Sequence, residues 1–321
     1  MTNTINLAFV GTGPWARKHH FPALDYLRTH AAHRFDVRLH GVFSLERADA
    51  EAVAAQYGFD RVYDNLDALI TDSDVNAVAM AVPPEVAAGV VERLTAMGVP
   101  LFSEKPPGVS LAQAQRLSDI VTMPNVLAFN RRFAPLNNAF KDIVDEMTDI
   151  YFVEGHFFRH NRLDDTFMIG TGIHWINFMT YLFGDIASVR VDRFPNPQNA
   201  TWVRVAQVTF ASGLKGILKF FPCSGSPEIE RVEVHSNAQS AYLHGAMGND
   251  PGTIIVDAGR EHHVIQPQSL AVAPEIVRIG IVGEYEAFFD AICYGTPARS
   301  TFQNAVNSMR VAETIEYGQS F

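Results

Sequence analysis

The sequence predicts an α/β protein in two parts: a doubly wound parallel sheet, followed by an α+β domain with a large open, mostly antiparallel sheet. Two observations predict this arrangement. In the first third, continuous apolar runs alternate with alanine-rich helical stretches, which is typical of strands buried on both faces and joined by helical crossovers. From about residue 148, polar and apolar residues alternate along successive runs, as in an antiparallel sheet with one covered face.

The first part contains strands and helices in alternation. The runs predicted to be strands are INLAFV (5–10), VRLHGVF (37–43), NAVAMAV (76–82) and VPLFS (99–103). Helices are predicted at 46–57 and 85–97, with Gly58 and Gly98 where helices commonly end.

The second part consists mainly of strands. They are YFVEGHFF, ASVRVDRF, TWVRVAQVTF, LKGILKFF, ERVEVHS, TIIVDA and HHVIQ, and helices are predicted at 167–183, 284–294 and 305–317. We place the boundary so that one domain spans residues 1–123 and the other spans residues 124–321.

Bulk properties exclude several classes of partner. The net charge of −10 argues against nucleic acid, because phosphates attract basic surfaces. No stretch approaches 18 uninterrupted apolar residues, so we expect no membrane-spanning helix, and the short run 5–10 lacks the features of a signal peptide. Two cysteines cannot form a disulfide framework, and we expect a reduced, cytoplasmic compartment.

A glycine motif follows the first predicted strand directly. Gly11, Gly13 and Ala16 form G-x-G-x-x-A, with Pro14 and Trp15 between them. The first glycine permits a tight turn, the second lets the backbone approach a pyrophosphate, and alanine allows close helix–strand packing. An ordinary strand-to-helix turn is the alternative. We assign all five residues to a dinucleotide site.

The end of the second strand decides the type of dinucleotide. An NAD site favours a carboxylate there, which accepts from the ribose hydroxyl. Asp36 precedes the strand, whereas Ser44 follows it and carries no charge that would repel a 2′-phosphate. Arg47 would pair with such a phosphate, unless it is only a solvated helix residue. NADP is therefore favoured, and NAD stays open.

A second motif, LFSEKPP (101–107), follows a later strand. Glu104 and Lys105 leave the sheet at the edge where a dinucleotide would bind, so an ammonium group is expected there. Pro106 restricts the chain and is a candidate for a cis peptide bond.

Taken together, the motifs resemble a known family. G-x-G-x-x-A is followed in order by V-x-x-A-V-P-P (78–84), G-V-P-L-F-S-E-K-P (98–106), N-R-R-F-A-P (130–135) and G-I-H (172–174). This order is similar to that of the Gfo/Idh/MocA oxidoreductases, the relatives of glucose–fructose oxidoreductase and inositol dehydrogenase. The resemblance implies a Rossmann domain, a C-terminal domain whose open sheet forms a homodimer or homotetramer, a nicotinamide cofactor and a sugar-like or cyclitol-like substrate.

The resemblance also implies roles for single residues. Lys105 matches the catalytic lysine, which would stabilise charge on the reacting oxygen. A structural salt bridge with Glu104 is the alternative. We further assign Val82, Pro83, Glu104, Lys105 and Arg132 to the cofactor site.

The chain departs from the family pattern D-x-G-x-H-x-x-D in its second half. His174 matches the catalytic acid/base, but Gly170 and Asn177 stand where the pattern has aspartates. On a helix Gly170, His174, Asn177 and Tyr181 share one face. Without the neighbouring carboxylate, His174 should be less basic. Three interpretations stay open. His174 acts as an acid that Asn177, Tyr181 or water orients. Alternatively, the space at Gly170 admits a bulkier substrate, or catalysis is lost.

The first strand of the second domain supplies further candidates. We assign His156 and Arg159 to the substrate site, with Lys105, Asn177 and Tyr181, because the family places this region beside the substrate. His156 and His160 lie roughly 13 Å apart on a strand, too far for one zinc ion, and we predict no metal site. The alternative is that the charged residues of this region are solvated side chains at the rim of the cleft and bind no ligand.

These observations lead to one main hypothesis and two alternatives. The main hypothesis is an NADP-dependent oxidoreductase that moves a hydride between the nicotinamide and a secondary alcohol or ketone of a small molecule. Lys105 polarises the oxygen, and His174 donates or accepts the proton. The alternatives are a non-catalytic NAD(P)-binding sensor, suggested by the missing aspartate, and a redox-neutral enzyme that retains its nicotinamide.

Overall fold

The structure, a computed structural model, describes residues 4–321 and divides into two compact units. The N-terminal unit holds the residues up to Asn130 together with Gly280–Val306, and the C-terminal unit holds Arg131–Ile279 together with Asn307–Phe321. Each unit is built around one sheet.

The sheet of the N-terminal unit is parallel throughout and has the order β3-β2-β1-β4-β5-β6. Its strands are β1 (Ile5–Val10), β2 (Val37–Phe43), β3 (Arg61–Val62), β4 (Ala77–Met80), β5 (Leu101–Glu104) and β6 (Asn125–Ala128). Because β1 lies between β2 and β4, the direction of winding reverses beside it. Ligands of doubly wound sheets bind outside the carboxyl ends of the strands at such a point.

The sheet of the C-terminal unit has the order β14-β13-β12-β11-β7-β10-β9-β8. Its strands are β7 (Ile150–Phe158), β8 (Ile186–Pro195), β9 (Trp202–Phe210), β10 (Lys215–Phe221), β11 (Ile229–Ser236), β12 (Ser240–His244), β13 (Thr253–Ala258) and β14 (Glu261–Ile265). Only the pair β7–β10 is parallel within this sheet. The mostly antiparallel sheet confirms the predicted fold class.

The helices follow in chain order. They are α1 (Phe21–His30), α2 (Arg47–Tyr57), α3 (Leu66–Ile70), α4 (Pro84–Thr95), α5 (Leu111–Ile120), α6 (Pro135–Glu146), α7 (Ile173–Phe183), α8 (Gln268–Val272), α9 (Glu275–Arg278), α10 (Ile281–Tyr294) and α11 (Phe302–Tyr317). Within residues 4–321, no helix combines the length and the apolar character needed to cross a membrane.

The N-terminal unit extends beyond the domain boundary placed at 123/124. Strand β6 pairs with β5 and completes the parallel sheet, and α10 returns to pack against α1 and β6. The run NVLA of β6 is short and fully buried, so it shows no periodicity that would reveal a strand. The return of α10 depends on packing between distant parts of the chain.

The helix predicted over 167–183 begins with a wider turn. Met168–Gly172 forms a π-helical turn, which leads directly into α7. Trp175 and Phe178 of α7 are completely buried, and the Trp175 ring stacks on Phe157 of β7 at a centroid distance of 5.8 Å. The helix therefore packs on the buried face of the C-terminal sheet.

A buried charge cluster stabilises the C-terminal unit. Arg131 and Arg159 both bind the carboxylate of Glu230, with Arg131 Nε donating to Oε2 at 2.9 Å. Burial by itself would raise the pKa of Glu230, but the two guanidinium groups lower it to about 2. The guanidinium of Arg159 also lies 3.6 Å from the centroid of the Phe157 ring.

We expect Glu230→Gln to lower the free energy of unfolding by about 3–5 kcal/mol at neutral pH, because two buried guanidinium groups lose their carboxylate. The pKa of Glu230 is lower in the folded state than its ordinary 4.5. Its contribution is therefore present above that value and is lost as the pH falls towards about 2. Urea unfolding across acidic and neutral pH should show a weaker pH dependence in the variant.

The matched control is Glu228→Gln, because Glu228 is 41% exposed and reaches Arg159 only at 4.0 Å. This variant should lose at most about 1 kcal/mol. Equal losses in the two variants would contradict the role assigned to Glu230.

Candidate active site

The glycine turn lies at the carboxyl end of β1, where the sequence places the dinucleotide. Gly11 has φ of +97°, and a Cβ at this position would collide with the carbonyl oxygen of Ala81, so no other residue fits. Its N–H donates to the carbonyl of Phe43 at the end of β2, at 2.8 Å. The turn thus joins the carboxyl ends of three neighbouring strands.

Gly13 differs from Gly11 in its surroundings. A Cβ at Gly13 would have no atom within 4 Å, so the backbone of this residue is open to a ligand. A helical segment begins at Pro14, passes through a π-helical turn (Ala16–His20) and continues as α1. Its first N–H groups face outward from the helix end, as those that bind phosphate do. Ala16 is 1% exposed and packs closely, as the motif predicts.

Further residues predicted to bind the cofactor lie after the carboxyl ends of β2 and β4. Ser44 is half-buried directly after β2, and Val82 and Pro83 follow β4. Arg47 is exposed, and its guanidinium binds Glu51 at 2.8 Å and also Asp64, which raises its pKa. A 2′-phosphate would have to compete with these two carboxylates for Arg47.

Glu104 is the best-connected side chain of this region. Its Oε1 accepts from Trp15 Nε1 and from His20 Nε2, both at 2.9 Å, and its Oε2 accepts from the backbone N–H of Lys105 at 3.1 Å. The opposite ring nitrogen of His20 lies 2.9 Å from the hydroxyl of Tyr285, a fully buried residue of α10. A continuous chain of hydrogen bonds therefore runs from Tyr285 to the residue before Lys105.

The direction of these hydrogen bonds follows from the chemistry of the groups. Burial and the charges of Glu284 and Glu104 raise the pKa of Tyr285 well above 10, so its hydroxyl keeps its proton. Within residues 4–321, His20 Nδ1 is the acceptor that this hydroxyl reaches, so Tyr285 donates. His20 then carries its proton on Nε2 and donates it to Glu104.

Glu104 is ionised in this arrangement. Burial would raise the pKa of Glu104, but the hydrogen bond from His20, the charge of Lys105 and the bond from Trp15 together lower it. A carboxylate beside Lys105 favours the ammonium form of the lysine. The Lys105–Pro106 peptide bond is cis, as the sequence suggested.

The sequence did not identify His20 or Tyr285 as part of this arrangement. His20 follows the glycine motif by four residues. A histidine so close to this motif, at the start of a helix, could have been recognised as a candidate residue of this region. Tyr285 lies 265 residues from His20, and no local pattern links the two.

In the C-terminal unit, Arg132 and Asn177 bind each other. Arg132 Nε donates to Asn177 Oδ1 at 2.5 Å, and Asn177 Nδ2 donates to Ser308 Oγ at 3.0 Å. The amide thus accepts from one neighbour and donates to the other. Asn177 is 1% exposed, so its contacts give it a packing role. The predicted cofactor and substrate contacts of this pair stay predictions.

The remaining residues of the second motif lie on one stretch of helix. His174 is half-buried in the first turn of α7, and the hydroxyl of Tyr181 donates to Asn138 at 3.1 Å. A Cβ at Gly170 would have no atom within 4 Å, whereas a Cβ at Gly172 would meet the Met168 side chain at 2.7 Å. The space beside Gly170 is therefore open, and a bulkier substrate at this position stays a prediction.

His156 and Arg159 already have partners on the sheet. Arg159 belongs to the buried cluster around Glu230, and His156 lies 3.1 Å from Glu154 and 3.7 Å from Glu233. Burial lowers the pKa of His156. His160 lies beyond the end of β7, where its ring meets the carbonyl of Ser224. A substrate contact of either His156 or Arg159 stays a prediction.

Within residues 4–321, two groups of side chains place metal-type ligands close together. In the group of Glu154, His156 and Glu233, the carboxylate of Glu154 binds Lys219 at 2.5 Å. The other group is His40, Asp72 and Asp74, in which Asp72 also binds Arg61 at 2.8 Å and Tyr63 at 2.8 Å. Cationic neighbours occupy both groups, and the absence of a metal stays a prediction.

Comparison with known proteins finds a family model that the N-terminal unit matches. Residues 5–130 match the family model described as "Oxidoreductase family, NAD-binding Rossmann fold". Inositol 2-dehydrogenase of Rhizobium meliloti is 30% identical over 114 residues, which cover 35% of this chain and 34% of that protein. A Saccharomyces cerevisiae protein described only as uncharacterized is 24% identical over 207 residues, covering 58% and 57% of the two chains.

The chain thus spans about a third to somewhat over half the length of the curated relatives that it matches. Solved structures extend the likeness of the fold to the whole chain. Levoglucosan dehydrogenase in complex with NADH and L-sorbose has a TM-score of 0.85 at 17% identity, covering 100% of this chain and 99% of that one. The N-terminal unit, with the glycine turn and the Glu104–Lys105 motif at the carboxyl edge of a parallel sheet, thus matches the model of the Gfo/Idh/MocA oxidoreductase family.

Proposed function

We propose that the protein is an NADP-dependent oxidoreductase acting on a secondary alcohol or ketone of a sugar-like or cyclitol-like molecule. The observation that carries this proposal is the placement of Lys105. Its neighbour Glu104 is held by buried hydrogen bonds at the carboxyl end of β5, beside the glycine turn. The relatives named as an inositol 2-dehydrogenase and a levoglucosan dehydrogenase support the substrate class.

The N-terminal unit has the features that a dinucleotide requires. Gly11 makes the tight turn, and the open backbone of Gly13 together with the helix that begins at Pro14 would hold a pyrophosphate. The loop after β4, with Val82 and Pro83, lies at the same edge of the sheet. When bound, the nicotinamide accepts or supplies the hydride.

Lys105 and His174 are the groups proposed to handle charge and protons. The ammonium of Lys105 stabilises negative charge as it develops on the substrate oxygen. His174 exchanges the proton of that oxygen. Because Gly170 supplies no carboxylate to hold the imidazolium, His174 is suited to donating a proton during reduction of a carbonyl.

The NADP preference rests on two residues after β2. Ser44 is uncharged, and Arg47 offers a guanidinium to a 2′-phosphate. The contacts of Arg47 with Glu51 and Asp64 are exposed, so exchanging them for a phosphate would cost little.

A second candidate function is a non-catalytic sensor that binds the dinucleotide. The open position at Gly170 favours it, because the family's carboxylate is missing there. The buried hydrogen bonds that support Lys105 argue for catalysis, since a sensor would not require them. Turnover by the wild-type protein distinguishes the two functions.

We also propose that the protein forms a homodimer or homotetramer through the eight-stranded sheet. The outer face of this sheet carries half-buried aromatic side chains, among them Phe158 and Phe221, whose ring centroids are 4.3 Å apart. Such a face is suited to a second copy of the chain. The small number of cysteines favours a reduced, cytoplasmic location for this assembly.

A screen of sugars, cyclitols and their keto forms, followed at the absorbance band of NADPH, should identify a substrate. Lys105→Ala should then lower kcat/KM by about 10²–10³-fold while NADPH still binds, because a group that stabilises the transition state is lost. Arg116→Ala, which removes an exposed cation of α5, is the control and should be fully active. Normal turnover by Lys105→Ala would refute the role proposed for this lysine.

His20 and Tyr285 act as positioning residues for Lys105 in this proposal. Tyr285→Phe removes one hydroxyl without changing the ring, and His20→Phe breaks the chain at its centre. We expect kcat to fall about 3–10-fold in Tyr285→Phe and about 10–100-fold in His20→Phe. The KM for the substrate should stay nearly unchanged in both variants. Tyr294→Phe, in the same helix, loses only a bond to the carbonyl of Arg34 and should behave as wild type. A rise in KM at constant kcat would argue against positioning.

The coenzyme preference has its own test. Arg47→Ala should raise the Kd for NADPH about 10-fold and leave the Kd for NADH unchanged, because only the 2′-phosphate uses this guanidinium. Arg93→Ala, which removes an exposed contact with Asp67, is the control. Fluorescence titration of both coenzymes measures the effect. Tighter binding of NADH than NADPH by the wild-type protein would contradict the NADP preference.

A further inference from the structure

We propose that the C-terminal unit contains a second ligand site, which binds a small hydroxylated carboxylate of the size of a sugar acid. The site is a cavity of about 460 Å³. It lies among the facing ends of β8 and β9, the segment 163–167 and the end of α11, and we call it the hairpin cavity. Its lining includes none of the residues predicted to act in catalysis or substrate binding.

Two arginines make the hairpin cavity a site for an anion. Arg193 and Arg204 both line it, and the Nε atom of each is buried. Among residues 4–321, neither Nε atom has a hydrogen-bond partner. Because both Nε atoms are covered, a ligand in the cavity would be bound through terminal N–H groups of the guanidinium, which suit the paired oxygens of a carboxylate.

Within residues 4–321, no acidic residue of the lining forms an ion pair with Arg193, although Glu316 lies near enough for the two charges to interact. Glu316 forms an ion pair with Arg204 and accepts from the N–H of Met168 at 2.6 Å. Asp164 binds Arg162 through both carboxylate oxygens, at 3.0 and 3.1 Å. Asp165 is exposed at the rim. In the described part of the chain, Arg193 forms no ion pair, so it is the cation available to an anionic ligand.

Arg193 is also held in place for binding. Its guanidinium lies 4.6 Å from the centroid of the Trp202 ring, and its side chain packs beside Gly318 at the end of α11. An arginine that stacks on an aromatic ring keeps its planar edge free for a carboxylate, which it binds through two parallel hydrogen bonds. The stacking thus orients the group that would recognise the ligand.

The rest of the wall indicates what the carboxylate is attached to. Trp202, Phe167 and Tyr317 supply aromatic surface, and Asp165 and Thr201 supply polar groups. Aromatic faces combined with polar side chains suit a short carbon skeleton that carries hydroxyl groups. A volume of about 460 Å³ holds a six-carbon acid. We therefore assign the site to a sugar acid rather than to inorganic phosphate.

Binding here would act on the helix that carries His174 without contacting that residue. Glu316, which pairs with Arg204 in the wall, accepts from Met168 at the start of the π-helical turn before α7. A ligand that contacts Arg204 would change the ion pair between Arg204 and Glu316. The hairpin cavity is therefore a separate site with a physical connection to the segment before α7.

Isothermal titration of the full-length protein with D-gluconate tests the proposal, with D-glucose as the uncharged counterpart. We expect saturable binding of gluconate and at least 10-fold weaker binding of glucose, because only gluconate has the carboxylate. Arg193→Gln should weaken gluconate binding at least 10-fold. Arg190→Gln, at an exposed position of the same strand outside the cavity, should leave it unchanged.

Two further variants make the result decisive. Arg193→Lys keeps the charge but loses the paired N–H groups, so it should also weaken gluconate binding. This variant replaces Arg193→Gln as the test if Arg193→Gln does not fold. Lys105→Ala should bind gluconate like the wild-type protein. The proposal is overturned if gluconate does not bind at millimolar concentration, if both Arg193 variants bind it normally, or if Lys105→Ala abolishes binding.

Discussion

The carboxylate of Glu104 is the group on which the arrangement of the N-terminal unit depends. It is 12% exposed, and a charge so nearly buried is stable only when hydrogen bonds surround it. Trp15 and His20 supply these bonds from the segment after β1, and the N–H of Lys105 supplies another from the end of β5. One anion thereby joins the segment that would hold a pyrophosphate to the lysine that would act on the substrate.

The C-terminal unit uses buried guanidinium groups in a comparable way. Arg159 binds Glu230, Arg204 binds Glu316, and Arg132 binds the amide of Asn177. Each contact joins elements that are far apart in the sequence. Several polar residues that the sequence suggests as ligand contacts thus bind other side chains and stabilise the unit. Arg193 forms no ion pair within residues 4–321 and stays available to a ligand.

Local patterns account for most of the fold that was predicted. Strands β1 and β2 coincide with the predicted runs because each is a continuous apolar segment next to a glycine or a polar turn. Strand β6 was missed because its apolar run, residues 126–129, is shorter than the runs that marked the other buried strands. The glycine turn was placed correctly because the motif depends on backbone geometry over six neighbouring residues. The roles of Lys105 and His174 rest on the order of motifs.

The sequence alone determined most of the strands, the glycine turn and the position of Lys105 at the end of a strand, because periodicity and turn chemistry act over a few residues. Only the tertiary structure decided the partners of the charged groups. Arg131 meets Glu230 across 99 residues and His20 meets Tyr285 across 265. Such pairs form because burial leaves a charge or a hydroxyl no other partner, and burial is a property of the packed chain rather than of any local segment.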